Sequence, residues 1–262
     1  MKHLKSSYQD LHRIFRHSIT AREIAEPLAS FEKDHTAAKV RKFLEERNFD
    51  VVGIRNEGVI TGYALRESLA SGVVGDHLLE FKASDVINES DPLLDTLEAL
   101  KSSRWVFIRF LGNPSGIVTR GDLQKAPMRM WLFGLISLLE MQVLRLIRAA
   151  YPNDEWVSCL SPQRRGKANT LYLERQRRND AIDLAECLQI GDKRNIFSKS
   201  EKLQKIVGFM SKTEWVTMMK DIEKLRDKLA HSNGIESASW PKHAQLISQM
   251  ENCLLKLEKA TV

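Results

Sequence analysis

The sequence predicts an α+β chain in two parts, a tandem pair of small helix-strand-strand units followed by an all-helical bundle. Three observations predict it. The stretches Asp50–Leu69 and Arg104–Leu123 align without a gap at a shift of 54 residues. Beyond Asp154 strand patterning fades and apolar residues recur at helical spacing. Charge is partitioned as well. Up to Ala126 there are 18 basic and 18 acidic residues, and beyond it 22 and 16, so the whole excess of +6 lies in the C-terminal half.

At 262 residues and 43% hydrophobic, the chain has room for two ordinary domains and can bury a core. Its three cysteines, Cys159, Cys187 and Cys253, share no metal-like spacing and are too few for a disulfide framework. That usage predicts a reducing, cytoplasmic setting. Met1–Asp10 is polar, without the apolar segment of a secretory signal. The longest apolar run, Met130–Leu139, ends at Glu140 and reads as too short to span a bilayer, so no membrane partner is expected. The basic second half points instead to a polyanion such as RNA or DNA. His3, His12, His17, His35, His77 and His243 form no metal-ligand set, and no P-loop, G-x-S-x-G elbow or Gly-rich dinucleotide fingerprint is present. No metal site is expected.

Residues 1–17 read as a polar N-terminal arm, and residues 18–126 hold the repeat. Val52 falls on Val106, Ile54 on Ile108, Gly58 on Gly112, Gly62 on Gly116, Arg66 on Arg120 and Leu69 on Leu123. Each copy is a β-branched run, a Gly-containing turn (Asn56-Glu57-Gly58 and Gly112-Asn113-Pro114) and a second apolar run. A helical stretch precedes each, through Ala37, Val40, Phe43 and Leu44 in the first and Leu93, Leu94, Leu97 and Leu100 in the second. A final helix is expected to start near Glu67 and near Asp122. Two such units in tandem can bury one another's sheet faces.

These residues resemble the CBS domain, and two in tandem resemble a Bateman module, usually an adenine-nucleotide sensor. The resemblance covers roughly Ser18–Lys125 and is strongest in GIVTRGDL, Gly116–Leu123. It implies that Thr119 and Asp122 hold an adenosine ribose, the carboxylate accepting from the two ribose hydroxyls. In the first unit Leu65 stands where Thr119 stands and Ser68 where Asp122 stands, which implies a lost ribose site. At most one nucleotide site per chain is expected. A second reading stays open beside it, with Asp122 capping the helix that follows and the pair serving as a dimerisation platform without ligand.

Residues 127–150 read as a linking helix, opening on Pro127 and closing before Tyr151-Pro152. Its first half is apolar all round, through Met130, Trp131, Leu132, Phe133, Leu135, Ile136, Leu138 and Leu139. Such a helix must be buried on every side, and a second copy of the chain is the expected cover, which makes it a homodimer interface. A membrane-lying helix would need a distinct polar face that the pattern lacks.

Residues 151–262 are read as an antiparallel bundle of segments near Asp154–Leu160, Gln163–Leu188, Lys199–Met210, Lys212–Ser232 and Pro241–Ala260. Arg164, Arg165, Lys167, Arg175, Arg177 and Arg178 stand against Glu174 alone, a density that suits an RNA phosphate backbone or, equally, a solvated helix face. The sharpest motif is Leu225-Arg226-Asp227-Lys228-Leu229-Ala230-His231. It closes an amphipathic helix through Trp215, Met218, Met219, Ile222, Leu225 and Leu229, before the stop signal Asn233-Gly234. Asp227 and His231 are four apart, so the carboxylate can orient the imidazole. Arg226 lies about 140° around the helix from His231, so two antiparallel copies across a two-fold axis would bring both pairs to one cleft.

Arg-polar-x3-His in a helical bundle resembles the HEPN superfamily, over roughly Pro127–Ala260 but on these few specific residues. Active members are metal-independent endoribonucleases with a composite site at the dimer interface. The resemblance implies that His231 moves the proton of the 2′-hydroxyl or the leaving 5′-oxygen, that Arg226 holds the phosphate and that Asp227 orients His231. No cofactor is required for this chemistry, and an adenine nucleotide enters as a regulatory ligand. Many such bundles serve as binding or dimerisation modules, which is the alternative reading of the same residues.

Overall fold

The computed structural model describes residues 6–208, 210–230 and 240–260. Helices α1 (Tyr8–Ser18), α2 (Ala37–Arg47) and α3 (Leu93–Ser102) accompany strands β1 (Glu26–Pro27), β2 (Ser30–Glu32), β3 (Val51–Asn56), β4 (Val59–Leu65), β5 (Val86–Asn88), β6 (Trp105–Phe110) and β7 (Asn113–Thr119). The rest is helical: α4 (Ala126–Ala150), α5 (Pro162–Arg177), α6 (Ile190–Lys199), α7 (Glu201–Ile206), α8 (Lys212–Ala230) and α9 (Trp240–Lys259). The chain packs as two compact units, one of residues 13–127 and one joining the residues up to 12 with those from 128 onward.

In the first unit the 54-residue repeat is reproduced down to its irregularities. β3 and β4 form one antiparallel hairpin, β6 and β7 the other, with Val52 opposite Ala64 and Val106 opposite Val118. Both ladders shift register at the same place, between Ile54 and Arg55 and between Ile108 and Arg109. Both turns are two-residue loops with two positive φ angles, 52° and 81° at Glu57-Gly58 and 48° and 88° at Leu111-Gly112. That geometry matches the right-handed twist of a hairpin and favours glycine at the second position. The second turn therefore sits at Leu111-Gly112, and Asn113-Pro114 already belong to β7.

A parallel strand joins each hairpin, β2 on β3 and β5 on β6, and β1 adds antiparallel to β7, giving the orders β2-β3-β4 and β1-β7-β6-β5. Val40 and Leu44 of α2 pack on Val52, Ile54 and Ala64 of the first sheet. Val51, Tyr63 and Leu65 share a second cluster with Phe107 and Ile117, so the two repeats bury one another's sheet faces. The helices expected near Glu67 and Asp122 are short 3-10 turns, Arg66–Ser68 and Arg120–Gln124.

In the second unit α4 is the central helix. Trp131, Leu132, Leu135, Leu139, Val143, Leu146 and Ile147 are all buried, in a unit that also encloses Trp156, Trp215 and Trp240. This corrects two expectations. The chain's own helices, not a second copy, cover most of α4, leaving open a strip at Met130, Phe133 and Met141 (60, 53 and 52% exposed). And at 25 residues, α4 is long and apolar enough to cross a membrane by length and composition, with 56% of its apolar window buried inside the structure. The helix continues past Glu140, where the apolar run stops.

The few charges on α4 each tie down a neighbour. Arg129 donates to the Leu229 carbonyl at the end of α8. Glu140 accepts from Lys193 of α6 at 2.7 Å. Arg145 donates to Leu257 O at the end of α9 at 2.7 Å. Arg148 reaches Asp183 and Glu186 at 2.6 and 2.8 Å. The N-terminal arm up to residue 12 belongs to this unit, Tyr8 N–H donating to Glu258 at 2.6 Å and Leu11 filling the space over Gly134.

α6 falls outside the expected segments, and α5 is shorter than expected. Asn179 takes a left-handed conformation, φ 59°, and the Asp180 N–H returns to the Arg175 carbonyl, closing α5. In α6 three successive residues reach three helices: Asp192 pairs with Arg164 of α5, Lys193 with Glu140 of α4 and Arg194 with Glu223 of α8.

The cysteines are unpaired thiols, with Cys187 and Cys253 buried and Cys159 half-buried. Burial pushes the Cys253 thiol up to about 12 and that of Cys187 in the same direction, against the thiolate a reagent needs. The native protein is expected to react with an alkylating reagent at Cys159 first, the other two labelling in denaturant; peptide mapping by mass spectrometry checks it.

Candidate functional site

In the first unit β7 ends at Thr119 and the chain turns at once into the Arg120–Gln124 turn. Asp122 Oδ2 accepts the Thr119 N–H at 2.7 Å and its hydroxyl at 2.8 Å, while Thr119 Oγ1 accepts the Gly121 N–H at 3.2 Å. This is a reciprocal cap, the second of the two readings of Asp122. The other oxygen, Oδ1, is 3.0 Å from Lys125 Nζ, which also donates to the Ile24 carbonyl at 2.6 Å and to Glu26. Glu26 arrives there because β1 pairs with β7 at Ile117 and Gly116. Burial works to lower the Lys125 pKa, but its bonds to Glu26 and Asp122 outweigh that and hold it above the ordinary lysine value.

Capping does not exhaust the Asp122 carboxylate. It offers about four acceptor sites, and the contacts above occupy three. Its side chain is 12% exposed. The cluster therefore combines one open acceptor position with a nearby ammonium, a pairing that suits a hydroxyl-bearing anion. Lys125 and Glu26 were missed from sequence; the i, i+3 spacing of Asp122 and Lys125 was the available signal for one of them. In the first repeat Ser68 spends its hydroxyl on the Leu65 carbonyl at 2.8 Å, and no carboxylate stands in the matching place.

In the second unit Arg226 and Asp227 lie on α8. Buried Leu225 and Leu229 anchor its last turns, Arg226 is half-buried and Asp227 exposed. Arg226 Nε and Nη2 donate to Asp227 Oδ1 at 3.3 and 2.8 Å. The expected partner of Asp227 was His231, which lies outside the described residues, as do Asn233 and Gly234. Among the described residues the carboxylate is held by the neighbouring guanidinium.

The basic segment also divides. Arg164 is not a free surface cation: its Nε and Nη2 fork onto Asp192 at 2.8 and 2.6 Å, and Asp192 is 2% exposed. Arg165, Lys167, Arg175, Arg177 and Arg178 are exposed. Only Arg164, Ala168 and Tyr172 turn inward along α5. At about 100° per residue Arg165, Lys167 and Arg177 point to three different sides of the helix. α5 is thus a projecting cationic rod.

The chain matches no family model and no curated protein. Among solved structures, the N-terminal part is similar to the CBS domain of the bacterial CNNM/CorC family Mg2+ transporter in complex with ATP, at 17% identity over 44% of this chain and 92% of that one, with a TM-score of 0.35. It is also similar to the CBS-pair protein CBSX2 from Arabidopsis thaliana, at 17% identity over 42% and 95%, with a TM-score of 0.37. A CBS domain from a membrane protein of Sphaerobacter thermophilus is similar at 16% identity over 44% and 91%, with a TM-score of 0.36.

Proposed function

We propose that the chain is an adenine-nucleotide-regulated, metal-independent endoribonuclease, working as a homodimer with a composite site built from Arg226 and His231 of both copies. The observation that carries the reading is the position of Arg226 and Asp227 in the last turns of α8, leading directly into His231. An RNA strand supplies its own nucleophile, the 2′-hydroxyl, so the protein need only move a proton and hold the crowded phosphate. His231 moves the proton, and the Arg226 fork accepts the growing negative charge, exchanging Asp227 for phosphate. The products are a 2′,3′-cyclic phosphate and a 5′-hydroxyl. The open apolar strip of Met130, Phe133 and Met141 supports contact with a second copy.

Purified protein incubated with tRNA or total RNA in excess EDTA tests this. Fragments ending in a cyclic phosphate support the reading; intact RNA under every condition, with and without ATP or AMP, ends it. A non-catalytic regulator is the second reading, and the exposed rod of α5 favours it, since phosphate binding there needs no partner subunit. Tight RNA binding without cleavage would select it.

The regulatory ligand is an adenine nucleotide held by Thr119 and Asp122, with Lys125 beside them for a phosphate. Asp122→Asn separates the two roles of the carboxylate, because asparagine caps as well as aspartate but lacks the charge and the second acceptor oxygen. AMP or ATP at 100 times its Kd should stabilise the wild-type protein by about 2.7 kcal/mol. Asp122→Asn is expected to melt close to wild type without nucleotide and to lose that gain. A full gain in the variant would leave Asp122 as a cap alone.

A further inference from the structure

In α8 the Leu229 carbonyl accepts a hydrogen bond from Arg129 Nη2, from the first turn of α4. Leu229 stands between Arg226 and His231 in the chain. Its side chain is buried in the core, so this residue is fixed from two directions, by packing on one side and by a guanidinium on the other.

The same helix repeats the device where no motif is present. Arg145 donates to Leu257 O at 2.7 Å and to Ala260 O at 3.2 Å, at the end of α9. Arg145 therefore provides an internal control, a matched arginine at a helix end that carries no catalytic candidate.

We propose that Arg129 is the positioning residue of Arg226: its hydrogen bond to the Leu229 carbonyl fixes the turn of α8 formed by residues 226–230 and thereby the direction in which Arg226 presents its guanidinium. For its catalytic consequence the proposal rests on the ribonuclease reading, but the clamp itself has a readout that needs no activity. A planar guanidinium donates along fixed directions, whereas a lysine ammonium supplies the charge and one adaptable donor. Arg129→Lys should thus restore part of what Arg129→Ala loses.

The test uses full-length wild type, Arg129→Ala, Arg129→Lys and Arg145→Ala, with amide hydrogen exchange along α8 and steady-state cleavage of RNA. Arg129→Ala should speed exchange of residues 226–230 by about tenfold, with 215–222 unchanged. Its kcat should fall by up to about 100-fold at unaltered KM, as a displaced catalytic group costs. Arg129→Lys should lie between, and Arg145→Ala should leave exchange at 226–230 and kcat at wild-type values. Unchanged exchange in Arg129→Ala, or equal loss in Arg145→Ala, overturns the clamp. Faster exchange with wild-type kcat overturns its positioning role. If wild type leaves RNA whole while Arg129→Ala still speeds exchange selectively, the clamp is supported and the ribonuclease reading alone fails.

Discussion

Asp192→Ala is expected to destabilise the helical unit by about 3 kcal/mol, the toll of stranding one partner of a buried ion pair. Asp192 is 2% exposed and accepts both arms of the Arg164 fork. The same carboxylate accepts the Gln189 N–H at 3.0 Å, closing the first turn of α6. Truncation leaves the guanidinium without its carboxylate and an amide without its acceptor. Asp192→Asn, which keeps an acceptor for that amide, should lose less. The pair Arg164→Met with Asp192→Leu should recover most of the loss, because replacing both ions by apolar side chains is often neutral or stabilising. Urea melts of the three variants measure this, and a cost below about 1 kcal/mol for Asp192→Ala would place the pair among ordinary surface contacts. It follows that Arg164→Ala should first lower stability and only secondarily touch RNA affinity.

Arg226→Ala and His231→Ala are each expected to reduce RNA cleavage by about a thousandfold, within the range for removing a proton-transfer group or a charge-stabilising donor. Neither should unfold the protein. Arg226 lies on the helix surface, and its exchangeable pairing with exposed Asp227 contributes at most about 1 kcal/mol. The composite site adds a sharper expectation. Mixing the two inactive variants and allowing subunits to exchange assembles dimers with one intact arginine and one intact histidine in the shared cleft, so activity should return. A site contained within one chain would stay dead in the mixture. Full activity in both single variants would remove these residues from the mechanism.

The repeat was legible because both hairpins carry the same apolar alternation and a glycine at the matching turn position, Gly58 and Gly112; the shared register shifts and the two-residue length of the turns were not, since both depend on cross-strand pairing. Asp122 was legible as a cap, since a threonine followed three residues later by a carboxylate is a capping pattern. What escaped was whatever depended on partners distant in sequence. α6 was missed because Gly191 and three successive charges interrupt its apolar period, and those charges are satisfied by residues 28, 53 and 29 positions away. Arg164 looked like one more surface cation for the same reason. The cover of α4 was assigned to a second copy because no local pattern names the helices that pack on it. Arg129 carried no signal at all, its acceptor being a backbone carbonyl 100 residues away.

The run Asp192-Lys193-Arg194 has a consequence for how the helical unit tolerates change. Consecutive residues project about 100° apart, so these three anchors share one helical phase. A single inserted or deleted residue ahead of them rotates all three off their partners together. Point substitutions there can be compensated pair by pair, but a frame slip cannot. Length variation between α5 and α6 should therefore collect in the loop after Asn179, and a chimaera that imports α6 must bring Arg164, Glu140 and Glu223 with it.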